Sequence, residues 1–323
     1  MLYQKQHKKF IVISILIIIL ITLFQKFSHF NVLKNTKSTV LYYCFFIPPG
    51  DHASGIGLEN INFFLRYGVF ERNGIDYVFL IPNGSVQTNV TSKIPKYKNV
   101  EIRHIINYKS DIANFYSQIN SKDDLHDYFI FMNVGVRGPF VPAENSRWHH
   151  KLIRSMGSNL MLGSTISCYP RPHLQSHFLM MNRYGVEITK KIWKKCFMTK
   201  LDHDSVVEMC EMGLSDFYIK MGYSFTSMER FYRKKDLSKI AKRWENFHGP
   251  MNTPEKIKWR KKNCDVILNP IVVKEIDPFE VIFLKYGGDV FRRLQDQLKS
   301  IHWKTVKNVK DCEKAMEINW IQV

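Results

Sequence analysis

The sequence contains few of the residues that mark small, disulfide-rich or disordered proteins. Its 323 residues include six cysteines and no Cys-x-x-Cys pair, which excludes a disulfide-dense scaffold and argues against a zinc or thioredoxin-like site. With 16 glycines and 12 prolines, it is neither collagen-like nor disordered in composition. Internal repeats are absent. The 45% hydrophobic and 14% aromatic content can fill the core of one large or two small domains.

Acidic residues are scarce in two segments, and this explains the net charge of +18. Residues 1–40 carry six lysines and no acid, and residues 229–262 carry twelve Lys or Arg against four Asp or Glu. The rest of the chain is nearly balanced. A basic segment with interleaved aromatic side chains can bind single-stranded nucleic acid. Two alternatives exist for residues 229–262. The segment could be a solvated loop with partly packed aromatic side chains, or it could contact an anionic diphosphate or lipid headgroups.

One long apolar run lies near the N-terminus. Phe10–Phe24 contains fifteen residues without a charge and is preceded by Lys5, Lys8 and Lys9. As a helix with a rise of 1.5 Å per residue, the run is roughly 22 Å long. This is short for a membrane span, but snorkelling of the flanking lysines would let it cross a thin bilayer. No pair of small residues follows to form a cleavage site. We therefore predict an uncleaved signal anchor; a cleaved signal peptide and a buried core helix are the alternatives.

The anchor predicts a single-pass type II topology in the endoplasmic reticulum or Golgi membrane. Positive charge before the run keeps the N-terminus cytosolic. The predicted segments are a cytosolic tail (1–9), an anchor (10–24), a stem (25–38) and a lumenal domain (39–323). Two sequons, at Asn83 and Asn89, fit a lumenal domain and are candidate glycosylation sites. Dimerisation through the anchor is left open, and a lumenal domain would meet little nucleic acid.

Strand and helix patterns alternate after the stem. Continuous apolar runs at Val40–Ile47, Tyr77–Ile81 and Tyr128–Met132 have strand length, and Leu58–Tyr67 has apolar residues at helical spacing. Strands with little polar alternation, separated by helices, indicate a mainly parallel sheet covered on both faces. The fold class is therefore α/β. Ligands of such sheets bind beyond the carboxyl ends of the strands, so each loop that follows a strand is a candidate site.

Several ordered motifs resemble those of GT-A glycosyltransferases. The strand predicted at Tyr128–Met132 is followed directly by Asn133–Phe140. This segment is similar to the NSxVRGPF loop of eukaryotic and viral type II membrane transferases. Further similarity lies at Asn60–Gly68, Gly163–Cys168, His173–Ser176 and Pro278–Phe283. The resemblance covers roughly residues 40–290. It implies a GT-A-like fold, a nucleotide-sugar donor, and a glycan, protein or lipid acceptor.

The resemblance also implies a donor site at the ends of the strands. In many GT-A enzymes an Asp-x-Asp motif at the end of the central strand holds Mn or Mg against the donor diphosphate. Here that position reads Asn133-Val134-Gly135, so both carboxylates are missing. Transfer without a metal ion is therefore the hypothesis, with the leaving group stabilised by Arg137 or by lysines of the basic segment, while use of Mn or Mg is left open. A surface position or an intramolecular ion pair is the alternative for Arg137. The candidate donor-binding residues are Asp51, Asn107, Asp111, Asn133, Gly135 and Arg137.

Two residues between a strand and a helix are candidates for contact with the donor, and two glutamates are candidates for the catalytic base. Asn107 and Asp111 follow a strand and precede a helix, so they could cap the helix or contact the donor. Glu211 is similar in position to the base of inverting GT-A enzymes, because Leu214 and Gly222-Tyr223 follow it. A carboxylate there could take the proton of the acceptor hydroxyl. Glu208, three residues earlier and expected on the same helix face, is the second candidate.

The acceptor site is predicted from His173, Gln175 and Ser176, which precede an apolar strand; a structural role for His173 is equally compatible with the pattern. The sequence thus predicts a membrane-anchored glycosyltransferase. A catalytically inactive relative that binds glycans or scaffolds other enzymes is the alternative, because the acidic pair is missing. A membrane-tethered nucleic-acid binder is a third.

Overall fold

The structure is a computed structural model that describes residues 38–47, 54–85, 90–119, 125–141, 145–167, 173–199, 202–230, 232–248, 254 and 278–285. The chain divides into two units, Met1–Ser38 and Thr39–Val323, and the described elements all belong to the second. The predicted anchor, most of the predicted stem, Asp51 and Asn89 lie outside the described residues. Within the described ranges, no helix combines the length and apolar character needed to cross a bilayer.

Strands and helices alternate through most of the described chain. The strands are β1 (Thr39–Cys44), β2 (Ile75–Pro82), β3 (Val100–Ile105), β4 (Tyr128–Asn133), β5 (Val136–Arg137), β6 (Met161–Gly163), β7 (Ile166–Ser167), β8 (His173–Leu174), β9 (Phe178–Asn182), β10 (Phe225–Ser227) and β11 (Leu284–Lys285). The helices are α1 (Ser54–Tyr67), α2 (Val90–Lys93), α3 (Asp111–Gln118), α4 (His149–Met156), α5 (Arg183–Met198), α6 (His203–Val206), α7 (Gly213–Met221), α8 (Leu237–His248) and α9 (Pro278–Val281). A π-helix, Val207–Met212, joins α6 to α7.

A seven-stranded sheet organises the domain. Its strand order is β10-β6-β9-β4-β1-β2-β3. All neighbours are parallel except β9, which runs antiparallel to both β4 and β6. The chain leaves β1 toward β2 and β3 on one side, and then returns to place β4 on the other side of β1. This reversal creates a topological switch point between β1 and β4, where open α/β sheets bind ligands.

The centre of the sheet is buried on both faces, because β1 and most of β2 and β4 are apolar. Successive side chains of a strand point to opposite faces. Leu41 and Tyr43 pack in one cluster with Trp148, the residue just before α4, whereas Tyr42 and Cys44 pack in a second cluster with Trp193 of α5. The unalternating apolar runs of the sequence follow from this two-sided burial, as expected for a mainly parallel sheet.

Gly222 ends α7 by a mechanism that the sequence indicates. Its backbone is left-handed, with φ of 74°, and its N–H donates to carbonyls of the last helical turn. The N–H of Tyr223 donates to the carbonyl oxygen of Tyr218 at 2.9 Å, which completes a glycine-terminated helix end.

The α/β class and the mainly parallel central sheet predicted from the sequence are confirmed. A solvated loop was one alternative for the basic segment 229–262. The described part of the segment instead contains α8, whose Leu237 and Ala241 are buried against the second core cluster. The two buried positions are four residues apart and therefore share one helix face. The high density of charge on the other faces obscures this pattern in the sequence.

Candidate functional site

A cleft lies at the switch point, beyond the carboxyl ends of β1 and β4. Its volume is about 190 Å³. Five separate segments line it: the residues just after β1, the β3–α3 loop with the start of α3, the end of β4, the turn before β9, and the helical segment that carries the π-helical turn. The lining residues are Phe46, Asn107, Lys109, Ser110, Asp111, Ile112, Asn114, Asn133, Ser176, Val206, Val207 and Glu211. The fold thus gathers Asn107, Asp111, Asn133, Ser176 and Glu211, all of which the sequence analysis selected.

Asn133 and Asp111 form the floor of the cleft. The Asn133 Nδ2 donates to Asp111 Oδ2 at 2.7 Å, and the Asn133 Oδ1 accepts the N–H of Gly135 at 2.9 Å. The carboxamide therefore fixes the turn after β4 and the carboxylate at the same time. Cys44 ends β1 directly opposite Asn133 in the parallel register, so its thiol also belongs to this cluster.

Burial changes the ionisation of this floor. The pKa of Asp111 is raised, first by burial and further by the negative charge of Glu211, although hydrogen bonds from Cys44 and Asn133 oppose the shift. Burial likewise raises the pKa of the Cys44 thiol well above its usual value. Asp111 and Glu211 are thus two acids of one cleft with interacting charges, an arrangement that is common where acid–base chemistry occurs.

The β3–α3 loop presents a lysine that the sequence analysis did not select. The Asn107 Oδ1 accepts the N–H of Lys109 at 2.8 Å, and Lys109 has a left-handed backbone with φ of 64°. Ser110, not Asn107 or Asp111, caps α3, because its Oγ accepts the N–H of Ala113 at 3.1 Å. Lys109 is exposed, and it is the cation among the described residues that line the cleft. The sequence alone does not distinguish Lys109 from the other 46 lysines and arginines of the chain.

Glu211 lies on the π-helical turn and lines the same cleft as the β3–α3 loop. Its neighbours Val206 and Val207 also line the cleft. Glu208 does not line the cleft with Glu211 as expected: it is exposed and lines a separate groove with Met209 and Asp216, and a catalytic role for Glu208 stays a prediction. The reason is the wider π-helical turn, in which residues three apart no longer lie above one another. Isolated π-helical turns are frequent at functional sites.

Arg137 is buried rather than open to the cleft. Its side chain is 6% exposed; its Nε donates to Asn60 Oδ1 and one terminal nitrogen to Glu59 Oε2, each at 2.8 Å. Asn60 in turn donates to the carbonyl oxygen of Val134 at 2.8 Å. Arg137 therefore joins α1 to the turn after β4. It is not one of the residues that line the cleft, and donor binding by Arg137 stays a prediction.

The predicted acceptor residues divide into two groups. Ser176 lines the cleft. His173 and Gln175 are buried, with 6% and 5% exposure, and the Oε1 of Gln175 accepts a hydrogen bond from Thr165 at 2.6 Å. These two side chains belong to the packing between the β7–β8 hairpin and the domain. An acceptor role for them stays a prediction.

A second polar cluster lies at the same edge of the sheet, beyond β6 and β10. The Oε1 of Glu229 accepts the N–H of Ile166 at 2.7 Å, and the N–H of Glu229 donates to Ser227 Oγ at 3.2 Å. Ser227 reaches the carbonyl oxygen of Ser164, whose hydroxyl lies 3.1 Å from His177 Nε2. Burial raises the pKa of Glu229 to about 7 and lowers the pKa of His177 well below its usual value.

Glu229 should make the fold less stable as the pH rises. Its pKa is 4.5 when unperturbed and about 7 in the fold, so its contribution to stability is full below pH 4.5 and is lost as the pH rises to about 7. Glu280 and Arg233, which form an ion pair of 2.8 Å, are the charges near it. We expect urea denaturation to show a larger fall in the free energy of unfolding between about pH 5 and pH 7.5 for the wild type than for Glu229→Gln.

Asp111, whose pKa is raised in the same direction, is present in both proteins of that comparison. The difference between the two pH dependences therefore isolates Glu229. Equal dependences would show that Glu229 does not hold its proton in the folded state.

The residues at the end of β4 do not fit a bound divalent metal. Among the described residues, no group of three or more His, Cys, Asp or Glu side chains could hold a metal ion. The Asn133 carboxamide is instead occupied by Asp111 and Gly135. No catalytic step is therefore routed through a metal here, and metal independence stays a prediction.

No protein-family model matches the chain, and no curated protein matches it in sequence. Among solved structures, it is similar to the apo form of mouse xyloside xylosyltransferase 1, with 7% identity over 57% of this chain and 82% of that one and a TM-score of 0.35. The apo glycosyltransferase GlyE of Streptococcus pneumoniae has 12% identity over 85% and 64%, with a TM-score of 0.36.

A solved synthase structure is also similar. The 4-diphosphocytidyl-2C-methyl-D-erythritol synthase of Anaerococcus prevotii has 10% identity over 69% of this chain and 97% of that one, with a TM-score of 0.34. Likenesses of this size assign no activity, so the function is argued from the residues of the cleft.

Proposed function

We propose that this protein transfers a sugar from a nucleotide-sugar donor to a hydroxyl group of a glycan, protein or lipid acceptor. The observation that carries the proposal is the position and content of the cleft. It lies at the switch point of the sheet, where such sheets bind ligands, and Lys109 and Glu211 line it. The ordered resemblance to GT-A glycosyltransferases supports the same activity.

Each part of the reaction has a candidate group in the cleft. The bond between the sugar's anomeric carbon and the diphosphate oxygen breaks, and its electron pair leaves with the diphosphate. The Lys109 ammonium stabilises that developing charge. The acceptor oxygen forms the new bond to the anomeric carbon while the Glu211 carboxylate takes its proton. Asn133 and Asp111 hold the turn after β4 in place between the two.

The proposed setting is the secretory pathway. The predicted anchor and stem would place residues 39–323 in the lumen of the endoplasmic reticulum or Golgi. The Cys196–Cys210 disulfide supports this setting, because disulfides persist in oxidising compartments. Asn83 is exposed in the turn after β2, so its sequon would be accessible to glycosylation in the lumen, which also supports this setting. A homodimer through the anchor is compatible with this arrangement.

An inactive glycan-binding relative is the second candidate. The observation that favours it is Asn133, which replaces an acidic metal ligand and bonds to Asp111 instead. Such a protein would bind a glycan without breaking a glycosidic bond. It differs from the enzyme in a single measurable property, turnover of a nucleotide sugar.

A nucleotide-sugar screen tests the proposal. We expect one donor to raise the melting temperature of the domain, since a ligand at about 100 times its Kd stabilises a fold by about 2.7 kcal/mol. The same donor should then be consumed in the presence of an acceptor, with or without a chelator such as EDTA. Binding without turnover would favour the inactive relative. If no nucleotide sugar bound, the proposal would be wrong.

A further inference from the structure

Resting on the proposed role of Glu211, we infer that the Cys196–Cys210 disulfide is a positioning crosslink that holds Glu211 against the cleft. Cys210 directly precedes Glu211 on the π-helical turn, and Cys196 lies near the end of α5. The two Cα atoms are 6.1 Å apart. Cys196 and Cys210 are therefore candidate positioning residues, which act through Glu211 and do not touch the substrate.

Few buried side chains anchor the segment that carries Glu211 in the core. Between Asp202 and Met212, the buried side chains among those whose burial is described are Cys210 and Met212. The hydrogen bonds from Val206 N to Asp202 O and from Ser205 N to Asp202 Oδ1 are local to the segment. These bonds shape the helix without tying it to another element. The disulfide at Cys210 connects this segment covalently to α5, which the burial of two side chains does not do.

The crosslink also joins the two walls of the cleft through α5. On one side, α5 packs on α3, with ring centroids 6.2 Å apart for Trp193 and Phe115 and 5.2 Å apart for Phe197 and Tyr116. Asp111 begins α3. On the other side, the disulfide attaches α5 to the π-helical turn. The segment with Asp111 and the segment with Glu211 are thus both attached to α5, which limits how far they can move apart.

Cys210 and Glu211 point in different directions, which separates the crosslink from the substrate. Cys210 is fully buried in the second core cluster, whereas Glu211 is half-buried at the cleft. Removing the disulfide changes no group that lines the cleft. Its expected effect is therefore on the placement of the Glu211 carboxylate. The β3–α3 loop with Lys109 keeps its own hydrogen bonds, so donor affinity should be preserved.

The test compares Cys196→Ser, Cys210→Ser and the double variant with the wild type, once a donor and an acceptor are known. Each variant removes the same bond, so all three should lower kcat to the same extent, by about tenfold or more, since small misplacements of a reacting group have large effects. The KM for the donor should change less than about twofold. Hydrogen exchange of the amides of residues 207–212 should become faster, while that of β1 and β4 stays unchanged.

A double-mutant cycle with Glu211→Gln separates positioning from general loss of stability. In the Glu211→Gln background there is no base to place, so removal of the disulfide should not lower the residual rate further. A merely structural crosslink would reduce the residual rate by the same factor in both backgrounds. If a serine variant does not fold, the folded wild type can be reduced with dithiothreitol, which adds two electrons and two protons to the two sulfurs. Reoxidation with oxidised glutathione then restores the disulfide, and the rates of the reduced and oxidised proteins give the same comparison.

The outcomes distinguish the inference from the proposed function. Wild-type kcat and unchanged exchange of residues 207–212 in the folded double variant would overturn the inference and leave the proposed function intact. A wild-type protein that keeps the disulfide yet transfers no sugar contradicts the proposed function, and the inference falls with it.

Discussion

Glu211→Gln should slow sugar transfer by about 100-fold or more, because removal of a general base costs roughly two to four orders of magnitude in rate. Glutamine keeps the size of the side chain but cannot take the acceptor proton. Donor binding should persist, since Lys109 and the Asn133–Asp111 pair remain. The measurement is kcat under donor saturation, together with the donor Kd by calorimetry.

Glu208→Gln is the matched control for that variant. It makes the same chemical change three residues earlier on the same helix, but Glu208 faces the separate groove with Met209. Its kcat should stay close to that of the wild type. A Glu211→Gln protein that is folded and fully active would remove Glu211 from the mechanism, and loss of activity in both variants would point to a general disturbance of the π-helical turn.

Lys109→Met should weaken the binding of the donor by about 10- to 100-fold, which is the size expected for a hydrogen bond between charged groups. Methionine preserves an unbranched side chain and removes the charge. Since the ammonium is expected to act on the diphosphate, the free nucleoside diphosphate should lose affinity by a similar factor. A free sugar or glycan acceptor should bind as before, and the donor Kd should rise with ionic strength in the wild type more than in the variant.

Two other cations serve as contrasts. Lys98→Met removes the same charge from an exposed lysine just before β3, at the opposite edge of the sheet from the cleft, and should leave the donor Kd unchanged. Arg137→Met removes the bonds to Asn60 and Glu59, so the free energy of unfolding should fall by about 2 kcal/mol while the Kd is preserved. If Arg137→Met weakened binding and Lys109→Met did not, the diphosphate-binding role would move from Lys109 to Arg137.

Much of the fold was predictable because burial on both faces of a parallel sheet leaves a simple pattern. The runs around Val40–Ile47 and Tyr128–Met132 have no polar alternation, and this alone indicates central strands. The α8 helix was missed because its buried apolar residues Leu237 and Ala241 are surrounded by lysines and arginines in the sequence. A narrow apolar stripe within a strongly basic segment gives little periodic signal.

Some site residues were also predictable, because the carboxyl ends of parallel strands meet at one edge of the sheet. Asn107, Asp111 and Asn133 follow strands in the sequence and lie in one cleft in the structure. Lys109 was not predicted, because one lysine among 47 basic residues carries no signal without its position at the cleft.

The chain's local patterns determined the strands, the glycine-terminated helix and the set of loops in which chemistry could occur, because these depend on neighbours close in sequence. The tertiary structure alone decided that Lys109 lines the cleft while Arg137 is buried against Glu59. It also decided that Glu211, but not Glu208, faces Asp111, and that Cys210 pairs with Cys196. These outcomes depend on a π-helical turn and on contacts between segments far apart in the chain, which hydrophobic periodicity does not encode.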